Sequence, residues 1–338
     1  MANRLSLTLC ALAAGAILTT STAVAAVPEI DVQHKDDKII LTFTGSLQES
    51  SDAINWATVD ASSPYEVAID KGNKFYRAMG DGGVLPETWT AYCSDTVSMV
   101  LNLCPAGTFT MGSPTNELGR WADEIQHQVT LTKDFYIGKY EVTQAQYEAL
   151  MGENPSEFRG ANLPVEQVSW DDATNFCAKL TAKEKEAGRL PEGYVYSLPT
   201  EAQWEYACRA GTTTDLNNGK NIPDSQLWDR CPALDEVGWY VWNSDGTTHP
   251  IGLKKPNAWG LYDMHGNVWE WCQDWYDENY YSVSPETDPT GPESGWFRVL
   301  RGGSRGINAY FCRSGYRFND LPDFRHDGIG FRVALVPE

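Results

Sequence analysis

The chain has 338 residues, of which 42% are hydrophobic and 21% charged, so it can bury a core sufficient for one large and one small domain. Its formal net charge is −20. This excludes the basic surface that nucleic acids and anionic membranes require, and we expect no nucleic-acid partner. The 13 Trp and 16 Tyr residues favour a loop-rich structure or an aromatic-lined site.

Residues 1–26 have the composition of a secretory signal peptide. Arg4 precedes an apolar run, and Ala23-Val24-Ala25 fits the small-residue pattern of a cleavage site. We find no other segment that is long and apolar enough to cross a bilayer, and we therefore expect no membrane insertion. The sequence predicts a periplasmic or secreted protein in an oxidising compartment.

Residues 27–92 are predicted to form a small β module. Ile39, Leu41 and Phe43 alternate with polar residues, and a last strand is expected at 74–77, with turn residues between such runs. We interpret 93–104 as a linker and 105–338 as the large domain.

The large domain is expected to begin with short strands and three helices. A strand and turn are predicted at 107–113, and a second strand at 135–143 leads to the first helix. Helices are predicted to open at Thr143, Ser169 and Thr200, because each of these residues can cap a helix that carries an apolar face. After residue 211 Gly, Pro, Asn and Trp dominate, which indicates an irregular, β-rich half.

Six motifs occur in a fixed order between residues 100 and 335: GTFTMGS, FYIGKYEVTQAQY, LPVEQVSWDDATNFC, LPTEAQWEYACRAG, NAWGLYDMHGNVWEWCQDWY and RVLRGGS…CRS…GFRVAL. In this order they resemble the formylglycine-generating enzyme (sulfatase-modifying factor) superfamily. The resemblance implies an α+β fold, a variant of the C-type lectin fold with a twisted sheet core, two helices and much irregular chain. The superfamily includes copper and iron enzymes and also non-catalytic ligand-display proteins.

The resemblance argues against the known metal chemistries. The two cysteines that hold copper in the generating enzymes match Ile307 and Cys312 here, so one of the two sulfur ligands is missing and we expect no copper. The histidines lack the facial-triad spacing of the iron enzymes, so iron is not expected either. His265 is expected to be a hydrogen-bonding loop residue.

Seven cysteines follow the predicted signal peptide, an odd number. The resemblance implies a structural disulfide between Cys208 and Cys312. It also implies that Cys177 is a free buried thiol, because Val333 stands where its partner would be. Cys272 is expected to be a second buried free thiol. The pairing of the remaining three cysteines stays open: Cys93, Cys104 and Cys231.

A calcium site is a further possibility that the resemblance raises. Asp263, Gly266, Val268 and Glu270 match a calcium site of the superfamily, and oxygen ligands at alternating positions on a turning loop suit this ion. The alternative is that Asp263 and Glu270 only tie the loop together by hydrogen bonds.

The stretch 305–332 contains no Trp, Met, Gln, Lys or Glu. These five residue types are those that codons ending in a pyrimidine cannot encode. The segment resembles the variable region of proteins that are diversified by retroelements through mutagenesis at adenines, in which a constant frame carries variable residues at the C-terminal end of this same fold.

The variable positions are predicted to cluster, partly exposed, on one concave face, while frame residues such as Arg317 and Phe331 are buried. Tyr and Phe would supply rigid contact area there, and Asn and Asp adaptable polar contacts. The predicted ligand-binding residues are Arg305, Ile307, Asn308, Tyr310, Phe311, Gly315, Tyr316, Phe318, Asn319, Asp323, Phe324 and His326.

The function predicted from the sequence is a secreted, non-catalytic display protein that binds an unidentified protein or glycan through residues 305–328. Two alternatives stay open. One is a periplasmic oxidoreductase or maturation enzyme of the sulfatase-modifying-factor family that works without the cysteine pair. The other is an accessory or structural member of that family.

Overall fold

The structure, a computed structural model, describes residues 16–18, 30–35, 38–43, 46–50, 57–59, 65–68, 74–79 and 86–338. The chain divides into two compact units, Met1–Glu87 and Thr88–Glu338. The predicted signal peptide, 1–26, lies outside the described residues except at Ala16–Leu18, which is a short strand, and it stays a prediction.

The described residues of the first unit form two sheets. Its strands are β1 (Ala16–Leu18), β2 (Ile30–Lys35), β3 (Lys38–Phe43), β4 (Ser46–Ser50), β5 (Ala57–Val59), β6 (Tyr65–Ala68) and β7 (Lys74–Met79). One sheet has the order β1-β7-β4-β5 and the other the order β2-β3-β6. The strands predicted around Leu41 and at 74–77 are confirmed as β3 and β7.

The predicted boundary between the units is wrong. Residues 88–104, which were assigned to the module and the linker, form the antiparallel strands β8 (Thr88–Tyr92) and β9 (Ser98–Cys104) of the second unit. Strand β9 buries Met99, Leu101 and Cys104. It also pairs with a neighbouring strand at Phe135–Gly138, so its backbone groups find partners that a linker would leave to water.

The second unit contains most of the described helices and strands. Beyond β8 and β9 its elements are β10 (Gly107–Met111), β11 (His127–Leu131), β12 (Phe135–Gly138), α1 (Gln144–Met151), α2 (Trp170–Glu186), β13 (Tyr194–Ser197), α3 (Glu201–Arg209), α4 (Pro232–Asp235), β14 (Gly238–Trp239), β15 (His265–Gly266), β16 (Trp269–Trp275), β17 (Arg298–Arg301), β18 (Phe318–Asp320), β19 (Ile329–Phe331) and β20 (Ala334–Pro337). The predicted α+β class is confirmed.

Two sheets organise this unit. The larger has the order β13-β20-β12-β9-β8, so the last strand of the chain lies between β13 and β12 and pairs antiparallel with both. The smaller has the order β18-β17-β16-β19, in which β16 and β19 run parallel. An antiparallel hairpin, β10-β11, and a short parallel pair, β14-β15, complete the strands. Strand β17 leads directly into the C-terminal segment of interest.

The three predicted helix starts are confirmed. Thr143, Ser169 and Thr200 each accept a hydrogen bond from the backbone N–H three residues on, and the side chain at that position bonds back to the cap. Helix α2 buries the apolar face predicted for it, Ala173, Phe176, Cys177 and Leu180. Among the described residues, no helix has the length and apolar character needed to cross a membrane.

Buried ion pairs connect the helices and sheets. The side chains of Arg301, Arg313 and Arg332 are completely buried. Arg332 Nη2 lies 2.7 Å from Glu270 Oε1, and Arg301 pairs with Glu205 of α3. A guanidinium that is buried without a carboxylate partner is strongly destabilising, so these pairs dictate how β17, β19 and α3 pack.

The cysteines correct one prediction. All seven described cysteines are free and buried, which agrees with the expectation for Cys177 and Cys272 but not with a Cys208–Cys312 disulfide. Cys208 Sγ lies instead 3.7 Å from Ser314 Oγ, and Cys312 Sγ lies 3.9 Å from the carbonyl of Asn308. The motif match was therefore two positions away from the residue that faces Cys208.

We predict that Ser314→Cys forms a disulfide with Cys208 when the protein is oxidised, because the new sulfur would stand where Ser314 Oγ now faces Cys208 Sγ. Closing a loop of about 100 residues stabilises by about 4–5 kcal/mol in the chain-entropy model, so the melting temperature should rise. Peptide mapping without reductant identifies the bond.

The double variant Cys208→Ala/Ser314→Cys is the matched control and should melt at the same temperature with and without reductant. In the unmodified chain both Cys208 and Cys312 should react with an alkylating agent after unfolding. Recovery of a Cys208–Cys312 peptide from that chain would contradict the structure.

Candidate functional site

A sharp turn after β17 starts the C-terminal segment. Gly302 and Gly303 have φ values of 93° and 83°, in the left-handed region that favours glycine. A Cβ at Gly303 would lie 2.6 Å from Cys312 Sγ, so a larger residue would collide with the returning chain. The turn therefore brings the irregular segment that follows Ser304 back over the end of the smaller sheet.

The predicted ligand-binding residues fall into three groups by exposure. Those that are partly exposed, as predicted, are Arg305, Ile307, Asn308, Phe311, Phe318 and Asn319. Those that are exposed are Asp323, Phe324 and His326. Tyr310, Gly315 and Tyr316 are buried, and for these three the predicted exposure is wrong. The frame residues Arg317 and Phe331 are buried, as expected.

Tyr310 and Tyr316 are buried by other aromatic rings. The Tyr310 ring centroid lies 3.8 Å from that of Phe311, 4.7 Å from Trp228 and 6.2 Å from Tyr316. Tyr316 in turn meets the edge of Trp121 at 6.1 Å. The outer rings of this cluster face solvent, because Trp228 is 63% exposed and Trp121 53% exposed.

The cluster includes exposed residues outside the C-terminal segment that the sequence did not identify as binding residues: Trp121, Trp228, Val241 and Trp242. Trp242 donates from Nε1 to the carbonyl of Trp228 (3.2 Å), and Val241 donates its N–H to the carbonyl of Ile307 (3.1 Å). We name the following set the aromatic surface: Trp121, Trp228, Val241, Trp242, Ile307 and Phe311. The sequence signal that could have indicated these residues is the presence of large apolar side chains in an irregular segment that is rich in Gly and Asn.

The exposed residues Asp323, Phe324 and His326 lie on the loop between β18 and β19. The loop that carries them packs at the start of α2, where the carbonyl of His326 accepts from Gln167 N (3.1 Å) and Arg325 pairs with Asp172 (2.7 Å). Asp327 of the same loop pairs with Arg305 (2.7 Å), so this loop is linked to the rest of the predicted set, and the single concave face stays a prediction.

Thiolate chemistry is disfavoured at the position of the predicted cysteine pair. Ile307 supplies no sulfur, and Cys312 is completely buried beneath Gly303. Burial raises the pKa of the Cys312 thiol far above its ordinary value, and it raises the pKa of Cys208 to about 12. Since the thiolate is the form that binds metals and attacks electrophiles, both thiols are expected to be inert.

His265 is a structural residue, as predicted. Its Nε2 accepts a hydrogen bond from Asn217 N (3.0 Å), which leaves Nδ1 as the donor to the carbonyl of Cys312 (2.6 Å). Burial lowers the pKa of His265 to about 4, so the ring is neutral in the physiological range. It ties the C-terminal segment to the loop before β16.

Two of the four predicted calcium ligands, Asp263 and Glu270, make hydrogen bonds within the protein. Both carboxylate oxygens of Glu270 are bonded to Arg332, and one of them also accepts from Trp204 Nε1 (2.7 Å). Asp263 Oδ2 accepts from Gly252 N, while its buried Oδ1 has no hydrogen-bond partner. No cluster of three or more His, Cys, Asp or Glu suited to a metal occurs in the described part of the chain. Calcium binding stays a prediction.

The family described as "Sulfatase-modifying factor enzyme 1-like domain" matches residues 90–336. A chaperone protein LppX from Paenibacillus barcinonensis is 38% identical over 208 residues, covering 52% of this chain and 70% of that protein. A formylglycine-generating enzyme from Streptomyces coelicolor is 38% identical over 180 residues, covering 51% of this chain and 52% of the enzyme. The chain thus spans about half the length of that enzyme.

Among solved structures, Treponema denticola variable protein 1 superposes with a TM-score of 0.65 and 32% sequence identity, over 75% of this chain and 100% of that protein. This likeness confirms the predicted C type lectin-like variant of the fold. The family match covers more than half of the chain and includes both sheets of the second unit. The chain therefore belongs to the family of sulfatase-modifying factor enzyme 1-like domains, within the formylglycine-generating enzyme superfamily.

Proposed function

We propose that this protein is a secreted, non-catalytic ligand-binding protein that displays the aromatic surface to a protein or glycan. The observation that carries this proposal is the exposure of Trp121, Trp228 and Trp242 around the buried Tyr310. Large exposed apolar groups that lie together usually mark an interaction site, since exposing them to water is costly.

The arrangement of frame and variable residues supports the same function. Arg317 and Phe331 of the frame are buried, whereas Ile307, Asn308 and Phe311 reach the surface. A segment of this kind tolerates changes at the surface positions without loss of the fold. The similarity to a protein named for its variability, from Treponema denticola, is a second, independent support.

Two other functions of the family are weaker candidates. Similarity to the Streptomyces enzyme favours a maturation enzyme, but Ile307 and the buried Cys312 weigh against the chemistry that its name implies. Similarity to the Paenibacillus chaperone favours an accessory protein that contacts another polypeptide. The aromatic surface would serve that role too, so identification of the ligand distinguishes a display protein from an accessory protein.

We expect no conversion of cysteine to formylglycine. When the protein is incubated with copper and a sulfatase-derived cysteine peptide, mass spectrometry should find the cysteine unchanged, because Ile307 provides no thiolate and Cys312 is inaccessible. The Streptomyces coelicolor enzyme serves as positive control in the same buffer. Turnover by this chain above the rate without protein would contradict the prediction.

The aromatic surface should carry ligand binding. We expect peptides selected on the immobilised chain from a random phage-displayed library to lose at least about tenfold in affinity on Trp121→Ala or Trp228→Ala, since aromatic anchors dominate binding energies. The melting temperature should change little, because exposed positions contribute little to stability. A glycan array measured in parallel tests the other ligand class.

Trp296→Ala is the matched control, because Trp296 is 82% exposed and lies before β17, apart from the aromatic surface. It should retain the affinity of the unmodified chain for the selected peptides. If Trp121→Ala, Trp228→Ala and Trp296→Ala all bind every selected peptide and every glycan as tightly as the unmodified chain does, the aromatic surface is not the binding site.

Tyr310→Ala is expected to behave differently from Trp228→Ala. Tyr310 is only 7% exposed and supports three other rings, so truncation should leave a cavity and lower the free energy of unfolding by about 3 kcal/mol. Urea denaturation measures the difference. A loss below about 0.5 kcal/mol would show that the ring does not act as a support.

A further inference from the structure

Arg313 joins the segment that carries Tyr310 to the loop 112–124. Its Nε donates to the carbonyl of Tyr310 (2.9 Å), and its Nη2 donates to the carbonyl of Gly119 (2.7 Å) in the loop. Its remaining N–H groups donate to two carboxylates of the same loop, so all five donors of the guanidinium are used. Because this loop also carries Trp121, Arg313 positions one edge of the aromatic surface.

Two carboxylates share this single guanidinium. Glu124 takes the bidentate position, with Oε1 2.8 Å from Nη2 and Oε2 2.8 Å from Nη1 of Arg313. Glu117 Oε1 adds a third contact, 2.5 Å from Nη1. One positive charge therefore faces two negative charges in a place where both carboxylates are almost completely shielded from water. Glu117 is the surplus carboxylate of the cluster.

The other charged groups near Glu117 leave this imbalance in place. Arg209 adds a second positive charge, but it is bonded to Glu205 (2.8 Å), and Asp215 adds a further negative charge near Glu117. Burial, opposed by Arg313 and aided by Asp215, raises the pKa of Glu117 from 4.5 to about 7. The closed loop thus holds a proton on Glu117 at mildly acidic pH.

We propose that closure of the loop 112–124 onto the segment 310–316 is coupled to protonation of Glu117, so that the aromatic surface is held together more firmly at mildly acidic than at neutral pH. Its consequence for ligand binding rests on the proposed function. When the loop opens, Glu117 meets water, its pKa returns towards 4.5, and the proton is released. Rising pH between 4.5 and about 7 therefore favours the open loop, and above this range the dependence levels off.

Hydrogen exchange of the full chain tests this coupling without any ligand. We measure peptides that cover 114–123 at about pH 5.5 and 7.5, corrected for intrinsic exchange, and expect the opening constant to rise by roughly tenfold or more, since one pKa unit corresponds to a factor of ten. Glu117→Gln keeps the shape of the neutral side chain. It should show at both pH values the protection that the unmodified chain has at the lower one.

Glu184→Gln is the control, because it removes another buried carboxylate, 2.5 Å from Arg189 at the end of α2. It should retain the pH dependence of the loop. Equal corrected exchange at both pH values in the unmodified chain would overturn the proposal, and so would an unchanged pH dependence in Glu117→Gln.

The selected peptides supply a second readout. Their affinity for the unmodified chain should be higher at the lower pH, and the difference should disappear in Glu117→Gln. Exchange that follows pH while no peptide or glycan depends on Trp121 or Trp228 would refute the proposed function and support the loop coupling. Peptide binding that depends on Trp121 or Trp228, together with exchange that is independent of pH, would support the proposed function and refute the loop coupling.

Discussion

The structure of the second unit depends on buried guanidinium groups that must each find a carboxylate. Arg301 pairs with Glu205 of α3 and also donates to the carbonyls of Ser314 and Tyr316. The segment that follows β17 has little regular structure, so its buried carbonyls need donors from side chains. One buried arginine thereby attaches an irregular segment to a helix, and it is this attachment that allows the segment to carry surface residues that do not contribute to the core.

The aromatic surface lies over an inner layer of buried rings. Tyr310 and Tyr316 form the inner layer and are shielded by neighbouring rings, while Trp121, Trp228 and Phe311 form the outer layer. Rings held by rings lose little conformational freedom on binding, which favours affinity. Inner tyrosines are thus expected to govern stability, and outer tryptophans to govern recognition. Protonation of Glu117 beside Arg313 would stabilise the contact between the loop that carries Trp121 and the segment that carries Tyr310 and Tyr316.

Local signals predicted local structure well. Ser or Thr followed three residues later by a side chain that can bond back located the starts of all three longer helices, because a capping box involves only neighbouring residues. The absence of sulfur at Ile307 was likewise readable from a single motif. In contrast, the linker predicted at 93–104 is wrong, because the strand at Ser98–Cys104 is stabilised by its pairing with Phe135–Gly138, which no local pattern reveals.

The family, the α+β class and the helix starts could be read from the sequence, because each depends on short motifs or on composition. Which side chains meet depends on how distant parts of the chain pack. The tertiary structure placed Ser314 rather than Cys312 opposite Cys208, since a short 3-10 turn at Ala309–Cys312 redirects the chain. It also assembled Trp121 and Trp228 with the C-terminal segment, and contacts between such distant residues arise from packing, which no local pattern encodes.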